Sequence, residues 1–449
     1  MNNIKILLLL LTITVTTGCA KYLDAVPDKK LVVPTTLTDF QQMLENDKMF
    51  TNTPALGELG ADDIALTDDV FATRNIIMQN SYQYRSDIFA GDTNNDWNYG
   101  YEKIYYANIV LEGMHKFFDK NASESVNQLN GWALFCRAHA FYDLEELFGQ
   151  PYRPSTAVSD LGIPLKLTTD LTEGVKRSTV AITYQQITKD LEDAARLLPD
   201  EVTLNNRSKP SKAAAFALLS RVYLTMQDYP KALEAAEKSL GFYRVLVDYN
   251  SLNSTIRFPF NPLIDKIIYH SVQLLYLPVN CPMDKSLYDA YGENDLRKNL
   301  FFNIDATTKL PVFKGSYSGS FTPYSGLATD ELYLTSAECY ARLGDNAKAL
   351  QNLNTLLVKR YKTSLFVPHT LNNTVDVLRL VLLERRKQCV LRSLRWPDLR
   401  RLNQERQFEK TVTHVINGQV YELSPNNARY TYPIPQDEIR LNGLEQNIR

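Results

Sequence analysis

The sequence predicts a mainly α-helical fold, and three observations lead to that prediction. Segments with apolar side chains at helical spacing recur through much of the 449-residue chain. Two such segments in different halves of the chain share one two-helix pattern. The stretch between them is rich in Pro, Gly, Ser and Asn, which favour loops. With 44% hydrophobic and 22% charged residues, the chain has the composition of a globular protein that can bury a large core.

Four amphipathic segments predict helices in the first half of the chain. They cover residues 37–45, 97–117, 131–149 and 183–200. Thr38 is the expected N-cap of the first helix, since Gln41 follows three residues later as in a capping box. Gly149 and Pro151 are expected to end the third helix and Pro199 the fourth, because Gly and Pro terminate helices.

Residues 212–240 predict two antiparallel helices that turn at Gln227–Asp228. Apolar side chains form a stripe along the first helix, at Phe216, Leu219, Tyr223 and Met226. Small residues at Ala232 and Ala236 let the second helix approach closely. This unit resembles a tetratricopeptide repeat, which consists of two such helices.

Residues 331–360 repeat the spacing of that unit. Tyr340, Asp345 and Ala349 lie 117 residues after Tyr223, Asp228 and Ala232. The long insertion between the two units means that they do not stack by sequence order alone. We therefore expect the earlier helices to complete the stack.

Two regions read as loops with short strands, residues 51–95 and residues 241–330. A hairpin is expected around Asn417–Gly418, since this dipeptide favours tight β-turns. Loops on a rigid helical frame commonly carry binding residues, so the ligand-binding face is expected among these segments.

The charge balance argues against a nucleic-acid partner. The chain has 49 basic and 51 acidic residues, a net charge of -2 and no basic block. Cysteine spacing gives little support for a zinc site or a disulfide framework, because Cys136, Cys281, Cys339 and Cys389 form no C-x-x-C pair. The sequence predicts neither a metal nor a cofactor.

The N-terminus predicts a lipoprotein signal peptide over residues 1–18. Lys5 supplies the positive charge, and the apolar run 6–15 is too short to span a bilayer. Gly18 and Cys19 resemble the end of a bacterial lipobox, in which the cysteine receives a diacylglycerol. Cys19 is therefore the predicted lipidation site, and the mature chain is expected to be anchored to a membrane.

Short motifs along the chain resemble those of the SusD/RagB family of Bacteroidetes outer-membrane lipoproteins. Their order is Cys19, YLDAVP, Trp97, Tyr101, Ile104, Asn108, RAHAFYDLEELFGQPY, GIPL, AAFALLSRVYL, AECYARLGD, ERR, RWPDLRR and YPIPQDEI, with Gln446 and Asn447. On this resemblance we assign residues 19–240 to a SusD-like N-terminal region. Residues 241–449 form the C-terminal region, which includes the loop-rich insertion 241–330.

The resemblance implies a SusD-like helical fold with four tetratricopeptide-like helix pairs and a loop-rich ligand-binding face. It implies location at the outer membrane, on the cell surface. It also implies a partner, a SusC/RagA-like TonB-dependent transporter that receives glycans or peptides from the lipoprotein. One departure is local: Gln388, Arg392 and Ser393 stand where the family commonly has an acidic residue and later a Glu–Gly pair.

Two charged clusters could bind ions. The cluster of Glu384, Arg385, Arg386, Arg395 and Asp398 could take an anion, but mixed signs at helical spacing favour a structural salt-bridge network. A second group could hold calcium, although an exposed acidic loop is the favoured interpretation. It consists of Asp62, Asp63, Asp68 and Asp69.

Aromatic side chains outside the helical stripes are the candidate ligand contacts, with two polar residues that could orient the ligand. The set is Phe71, Tyr82, Tyr84, Tyr288, Tyr291, Tyr317 and Tyr324, with Arg85 and Asn95. Trp97 is expected to be structural, because it belongs to the family's helix motif.

The sequence therefore predicts a surface lipoprotein that captures oligosaccharides or peptides and passes them to a transporter. No nucleophile, metalloprotease or phosphate-binding motif occurs, so no catalytic residue is assigned. Two alternatives stay open: a repeat scaffold that binds only proteins, and a surface glycan hydrolase whose two acids need no local motif.

Overall fold

The computed structural model describes residues 33–118, 123–277 and 281–449. Helices account for 48% of the chain, which confirms the predicted mainly α fold. The helices are α1 (Leu37–Glu45), α2 (Leu56–Gly60), α3 (Asp68–Ala72), α4 (Ile76–Tyr82), α5 (Asn95–Phe118), α6 (Glu124–Phe148), α7 (Val180–Leu197), α8 (Lys212–Thr225), α9 (Tyr229–Phe242), α10 (Lys285–Asp289), α11 (Arg297–Phe301), α12 (Thr329–Arg342), α13 (Asn346–Leu357), α14 (Thr374–Gln388), α15 (Arg395–Leu402) and α16 (Gln436–Asn442). The predicted signal peptide and Cys19 lie outside the described residues.

Eight long helices form the frame. From α5 to α9 each helix packs against the next, α9 packs against α12, and α12 packs against both α13 and α14. The stack thus runs across residue 240, and the proposed boundary there stays a prediction. Small side chains allow the close packing, since Ala232 and Ala349 are completely buried. Ser239 donates a hydrogen bond to the Ala213 carbonyl at 2.7 Å, which ties α9 to α8.

The two predicted repeat units share the same turn. Asp228 accepts a hydrogen bond from the Lys231 amide at 3.2 Å and caps α9, and Asp345 accepts from Lys348 at 3.0 Å and caps α13. The residue before each cap is left-handed, with φ of 61° at Gln227 and 89° at Gly344. Glycine adopts this conformation without strain, and the glutamine shows that the turn is kept even where glycine is missing.

Short antiparallel pairs make up the strands, as the loop-rich composition predicts. They are β1 (Leu161–Pro164) with β2 (Arg177–Thr179), β3 (Ile267–Tyr269) with β6 (Leu327–Ala328), β4 (Phe302–Ile304) with β5 (Pro311–Phe313), and β7 (Val412–Ile416) with β8 (Gln419–Leu423). The hairpin at Asn417–Gly418 is confirmed, and both residues have the positive φ of a tight β-turn, 51° and 71°.

Three local predictions need correction. Thr36, not Thr38, caps α1, because its hydroxyl accepts from the Asp39 amide at 3.2 Å while the Asp39 carboxylate accepts from the Thr36 amide at 2.9 Å. Helix α6 begins at Glu124 rather than Gly131. Gly131 lies inside this helix, at the point where the end of α7 packs against it. A Cβ atom at residue 131 would lie only 3.0 Å from Leu197, which explains the glycine. The two regions expected to be loops with short strands also contain short helices, three in residues 51–95 and two, α10 and α11, in residues 241–330.

Cys136, Cys281, Cys339 and Cys389 are buried and form no disulfide with one another. Burial raises the pKa of the Cys136, Cys281 and Cys389 thiols to about 12. Within the described ranges, no helix combines the length and apolarity that a membrane span requires.

Candidate functional site

The basic residues of the ERR and RWPDLRR motifs in the C-terminal region are structural. Arg385 donates to Asp398 at 2.8 Å, and Arg401 binds Glu338 through both carboxylate oxygens at 2.5 and 2.8 Å. These side chains are buried, so each guanidinium is satisfied inside the protein. The structure supports the predicted salt-bridge network over anion binding.

The candidate calcium ligands Asp62 and Asp63 belong to the same network. Arg395 binds Asp62 at 2.6 and 3.0 Å, and Arg386 donates to Asp63 at 2.9 Å. Burial by itself would raise the pKa of the Asp62 carboxyl, but Arg395 and Arg386 outweigh it and hold that pKa well below its usual range. Cationic side chains thus occupy the place that calcium would take.

The exposed-loop interpretation also fails for Asp62 and Asp63, because both are buried. Asp68 and Asp69 are exposed as expected, but they form the first turn of α3 rather than a loop. Asp68 accepts a hydrogen bond from the Asn417 amide at 2.7 Å and so contacts the β7–β8 hairpin. Among the described residues, no group of three or more His, Cys, Asp or Glu side chains is arranged to hold a metal ion.

The departure from the family pattern at Gln388 and Arg392 does not disrupt the network. Gln388 accepts from Arg360 at 3.0 Å and donates to the Tyr317 hydroxyl at 2.7 Å. Arg392 donates to Asp330 at 2.9 Å. A neutral amide can stand here because Asp330 already supplies a carboxylate to the surrounding cations.

Six of the aromatic residues that the sequence suggests as ligand contacts lie in the interior. They are Phe71, Tyr82, Tyr84, Tyr291, Tyr317 and Tyr324, each no more than 7% exposed. Tyr82 stacks on His414 with ring centroids 3.8 Å apart, and Tyr291 donates to the Lys387 carbonyl at 2.7 Å. Their burial leaves little surface for a ligand, and ligand contact by any of the six stays a prediction.

The other three candidates reach the surface. Arg85 is exposed and lies 5.9 Å from the Tyr421 ring centroid, and Asn95 is exposed at the start of α5. Tyr288 is half-buried beneath the Lys298 ammonium, 4.7 Å from the ring centroid. None of the three lines the cleft described next, although Arg85 and Asn95 are chain neighbours of its lining residues Ser86 and Asn94. Ligand contact by these three stays a prediction.

A cleft of about 780 Å³ separates the loop before α5 from the C-terminal segment. Its lining is Ser86, Asp87, Phe89, Gly91, Asp92, Thr93, Asn94, Asn98, Pro433, Ile434, Pro435, Gln436, Asp437, Glu438, Gln446, Asn447 and Arg449. Carboxylates, amides and hydroxyls predominate, and the Phe89 ring is buried. The cleft can therefore bind a polar ligand through many hydrogen bonds.

Side-chain hydrogen bonds hold the C-terminal wall in place. Asn447 donates to the Phe148 carbonyl at 2.8 Å and to the Tyr432 carbonyl at 2.7 Å, and it accepts from Arg177 at 2.8 Å. Gln446 donates to the Ile434 carbonyl at 2.9 Å. The two residues that belong to the family motif thus act as a support for the cleft.

Asn94 forms the opposite wall. Its side-chain oxygen accepts from the Trp97 amide at 3.1 Å, so it caps the first turn of α5. Its Nδ2 atom is buried and has no hydrogen-bond partner among the described residues. Trp97 itself is buried against Phe148, with ring centroids 5.1 Å apart, which agrees with the structural role expected for it.

A second cleft, also about 780 Å³, lies at the α12–α13 turn. Its polar groups stabilise the fold. Asp345 caps α13, and Asn354 accepts from the His369 amide at 3.0 Å and donates to the His369 carbonyl at 3.1 Å. The cleft beside α5 is the better candidate site, because its wall includes Gln446 and Asn447 of the family motif.

Sequence reasoning missed most of this cleft. The sequence feature that could have indicated the cleft is the run FAGDTNND before α5, in which Asp and Asn cluster just ahead of the start of a helix. It also missed an aromatic pair in the insertion, half-buried Phe258 and exposed Phe321, with ring centroids 5.9 Å apart and Arg257 over both rings.

Comparisons with known proteins agree with this architecture. A SusD-like family model described as "Starch-binding associating with outer membrane" matches residues 21–224, and the SusD family model matches residues 329–448. SusD-like protein P2 of Formosa agariphila is 34% identical over 141 residues, which is 31% of this chain and only 26% of that relative.

Two solved structures illustrate the similarity of fold. A SusD superfamily protein from Bacteroides thetaiotaomicron has a TM-score of 0.75 at 22% identity, over 92% of this chain and 100% of that one. A SusD-like carbohydrate binding protein from Bacteroides vulgatus has a TM-score of 0.71 at 19% identity, over 91% and 97% of the two chains.

Proposed function

The chain belongs to the SusD/RagB family, and from that premise we propose that it is a cell-surface lipoprotein that captures oligosaccharides, or peptides, for a SusC-like TonB-dependent transporter. Capture is binding without chemistry. The lipoprotein would then sit over the barrel as a lid, and movement of the lid would pass the ligand on.

The observation that carries this proposal is the polar cleft between residues 86–98 and 433–449. Carboxylate, amide and hydroxyl groups converge there on a wall held by Asn447 and on the rigid start of α5. Such groups suit a ligand with many hydroxyls, since each can accept or donate one hydrogen bond. A peptide backbone could use the same groups, and binding measurements decide between the two.

The lipid anchor places the cleft beside its partner. Diacylglycerol on Cys19 would confine the protein to the membrane surface, so its encounter with the transporter takes place at a high effective concentration. The chain between Cys19 and α1 would then act as the tether.

The test begins with a tagged copy that keeps its native signal, expressed in a Bacteroidetes host and purified from detergent-solubilised outer membrane. Mass spectrometry should find a TonB-dependent barrel in stoichiometric amount. The matched control is Cys19→Ala, which should leave the membrane fraction while its soluble form keeps ligand affinity. Recovery of the wild-type protein alone, or in the soluble fraction, would contradict the lid proposal and favour the scaffold alternative.

Ligand class and catalysis are tested on the same purified protein. Panels of oligosaccharides and peptides are screened for binding by calorimetry, and each binder is then incubated and examined for cleavage products. Binding without turnover is the expected result. Turnover that a single carboxylate substitution abolishes would instead support the hydrolase alternative.

A further inference from the structure

We infer that the cleft selects oligosaccharides that carry free amino groups and rejects those that carry carboxylate or sulfate groups. The inference rests on the proposed function, because it names the ligand class of the same cleft. Two independent observations carry it, the charge of the lining and an unpartnered donor in its wall.

Four carboxylates line the cleft, and they come from both walls. Asp87 and Asp92 are exposed on the loop before α5, while Asp437 is exposed and Glu438 half-exposed at the start of α16. This arrangement differs from the buried network around Asp62, where each carboxylate meets a guanidinium. A cation entering the cleft is therefore attracted from two sides.

Positive charge in the lining is limited to Arg449. Its guanidinium donates to the Thr431 carbonyl at 3.1 Å and lies 5.1 Å from the Tyr432 ring centroid, so it faces the C-terminal wall. Arg440 pairs with Asp437 at 3.1 Å, but both side chains are largely exposed and solvent screens the pair. Negative charge prevails in the cleft.

The second observation is the Asn94 amide. This side chain is 4% exposed, lines the cleft, and has an Nδ2 group with no partner among the described residues. A buried N–H group without an acceptor is costly, so a ligand oxygen that reaches it gains binding energy. A sugar hydroxyl supplies such an oxygen, and the carboxylates would take an ammonium on the same ligand.

The lining also favours a sugar over a peptide. Phe89 and Ile434 are buried, so the lining presents no exposed aromatic or branched aliphatic side chain to a peptide. Amides and carboxylates instead match the dense hydroxyls of a glycan. A uronate or sulfate group would lie among four carboxylates and would be repelled.

The experiment compares three β-1,4-linked oligosaccharides of one length: a glucosamine oligomer, a glucose oligomer and a glucuronate oligomer. Calorimetry is done at low ionic strength and at a pH that keeps the amines protonated. The glucosamine oligomer should bind about tenfold more tightly than the glucose oligomer, as expected for charge-assisted hydrogen bonds. The glucuronate oligomer should bind at least about tenfold more weakly than glucose, and added salt should reduce both differences.

Asp92→Asn combined with Asp437→Asn tests the cause. The double variant should lose most of the roughly tenfold preference for glucosamine over glucose, because amides still bond hydroxyls but no longer attract an ammonium. Asp289→Asn is the matched control, since Asp289 is an exposed carboxylate on α10 that does not line the cleft. It should leave all three affinities unchanged.

The outcomes separate the two proposals. The inference is overturned if the glucosamine and glucose oligomers bind with equal affinity, or if the glucuronate oligomer binds as tightly as the glucose oligomer. Oligosaccharide capture would stand in either case. Tighter binding of a lysine-rich peptide than of the glucosamine oligomer also overturns it. If no oligosaccharide or peptide binds at all, the inference and the ligand part of the proposed function fail together.

Discussion

Two regions of the molecule are rich in carboxylates, but the surroundings of the carboxylates differ between the two regions. Around Asp62 and Asp330 the acids are buried and bonded to guanidinium groups that belong to other elements. In the cleft beside α5 the acids of Asp92 and Asp437 face solvent. The comparison teaches that the partner, rather than the residue type, separates structural from candidate binding carboxylates.

The largest expected effect comes from breaking the buried network at Asp330. Its carboxylate lies within 3.9 Å of Lys266, 3.6 Å of Arg360 and 2.9 Å of Arg392. Asp330→Asn leaves these cations without their shared acid and should lower the free energy of unfolding by about 3–5 kcal/mol. Urea unfolding measures it. A loss below about 1 kcal/mol would show that the network is not structurally important.

The same carboxyl gives a pH signature. Burial alone would raise the pKa of Asp330, but Arg392 and Lys266 outweigh it and lower that pKa to about 2. Because the folded-state pKa lies below the unfolded one, the stabilisation is present above about pH 4 and is lost as the pH falls towards 2. The wild-type protein should lose more stability than Asp330→Asn over that interval.

Glu58 sharpens the comparison, because it is buried yet meets no guanidinium. It accepts from the Ser393 amide at 2.5 Å and from Gln273 at 3.2 Å. Burial, with Asp63 nearby, raises the pKa of this carboxyl to about 7. Its stability contribution is complete below its unfolded pKa and is lost as the pH rises through about 7.

In Glu58→Gln the free energy of unfolding should therefore vary less with pH between about pH 4.5 and 7. At pH 8 it should be about 2 kcal/mol higher than in the wild type. Thermal unfolding across a pH series measures this. Glu422→Gln, an exposed acid on β8, is the control and should leave the slope unchanged. A steeper slope in Glu58→Gln would contradict the assignment.

Asn447 connects the C-terminal wall of the cleft to the helical frame, because it donates to the Phe148 carbonyl at the end of α6. Asn447→Ala should lower the free energy of unfolding by about 1–2 kcal/mol, because it leaves the Tyr432 carbonyl without a donor and the Phe148 carbonyl with Arg177 alone. It should also weaken ligand binding by displacing the C-terminal wall. Asn205→Ala, at an exposed asparagine that does not line the cleft, should change neither quantity.

The smallest effect on stability is expected in the cleft itself. Asp92→Asn removes an exposed charge with no buried partner, so the free energy of unfolding should change by less than about 0.5 kcal/mol. Chemical denaturation measures it beside the ligand titrations. A loss as large as that of Asp330→Asn would show that both regions use their acids for structure, and the comparison would fail.

The features that could be predicted from the sequence are those that neighbouring residues determine. The turns at Asp228 and Asp345 follow from a cap and its neighbours, and the hairpin follows from Asn417–Gly418. Burial of Tyr317 could not be foreseen in this way, since its hydroxyl bonds Gln388 and Asp330, which belong to two separate helices. The cleft was missed because its walls, residues 86–98 and 433–449, come from distant parts of the chain and converge only in the folded protein.

The four buried thiols give the molecule its own folding reporters. Cys136 lies in the helix stack, Cys281 on the loop face, and Cys339 and Cys389 in α12 and just after α14. A maleimide reagent should leave each one unmodified while the surrounding structure stays closed, because burial denies access and disfavours the thiolate. Pulse labelling of the purified protein followed by peptide mapping would therefore show, without any engineered probe, which part of the protein opens first.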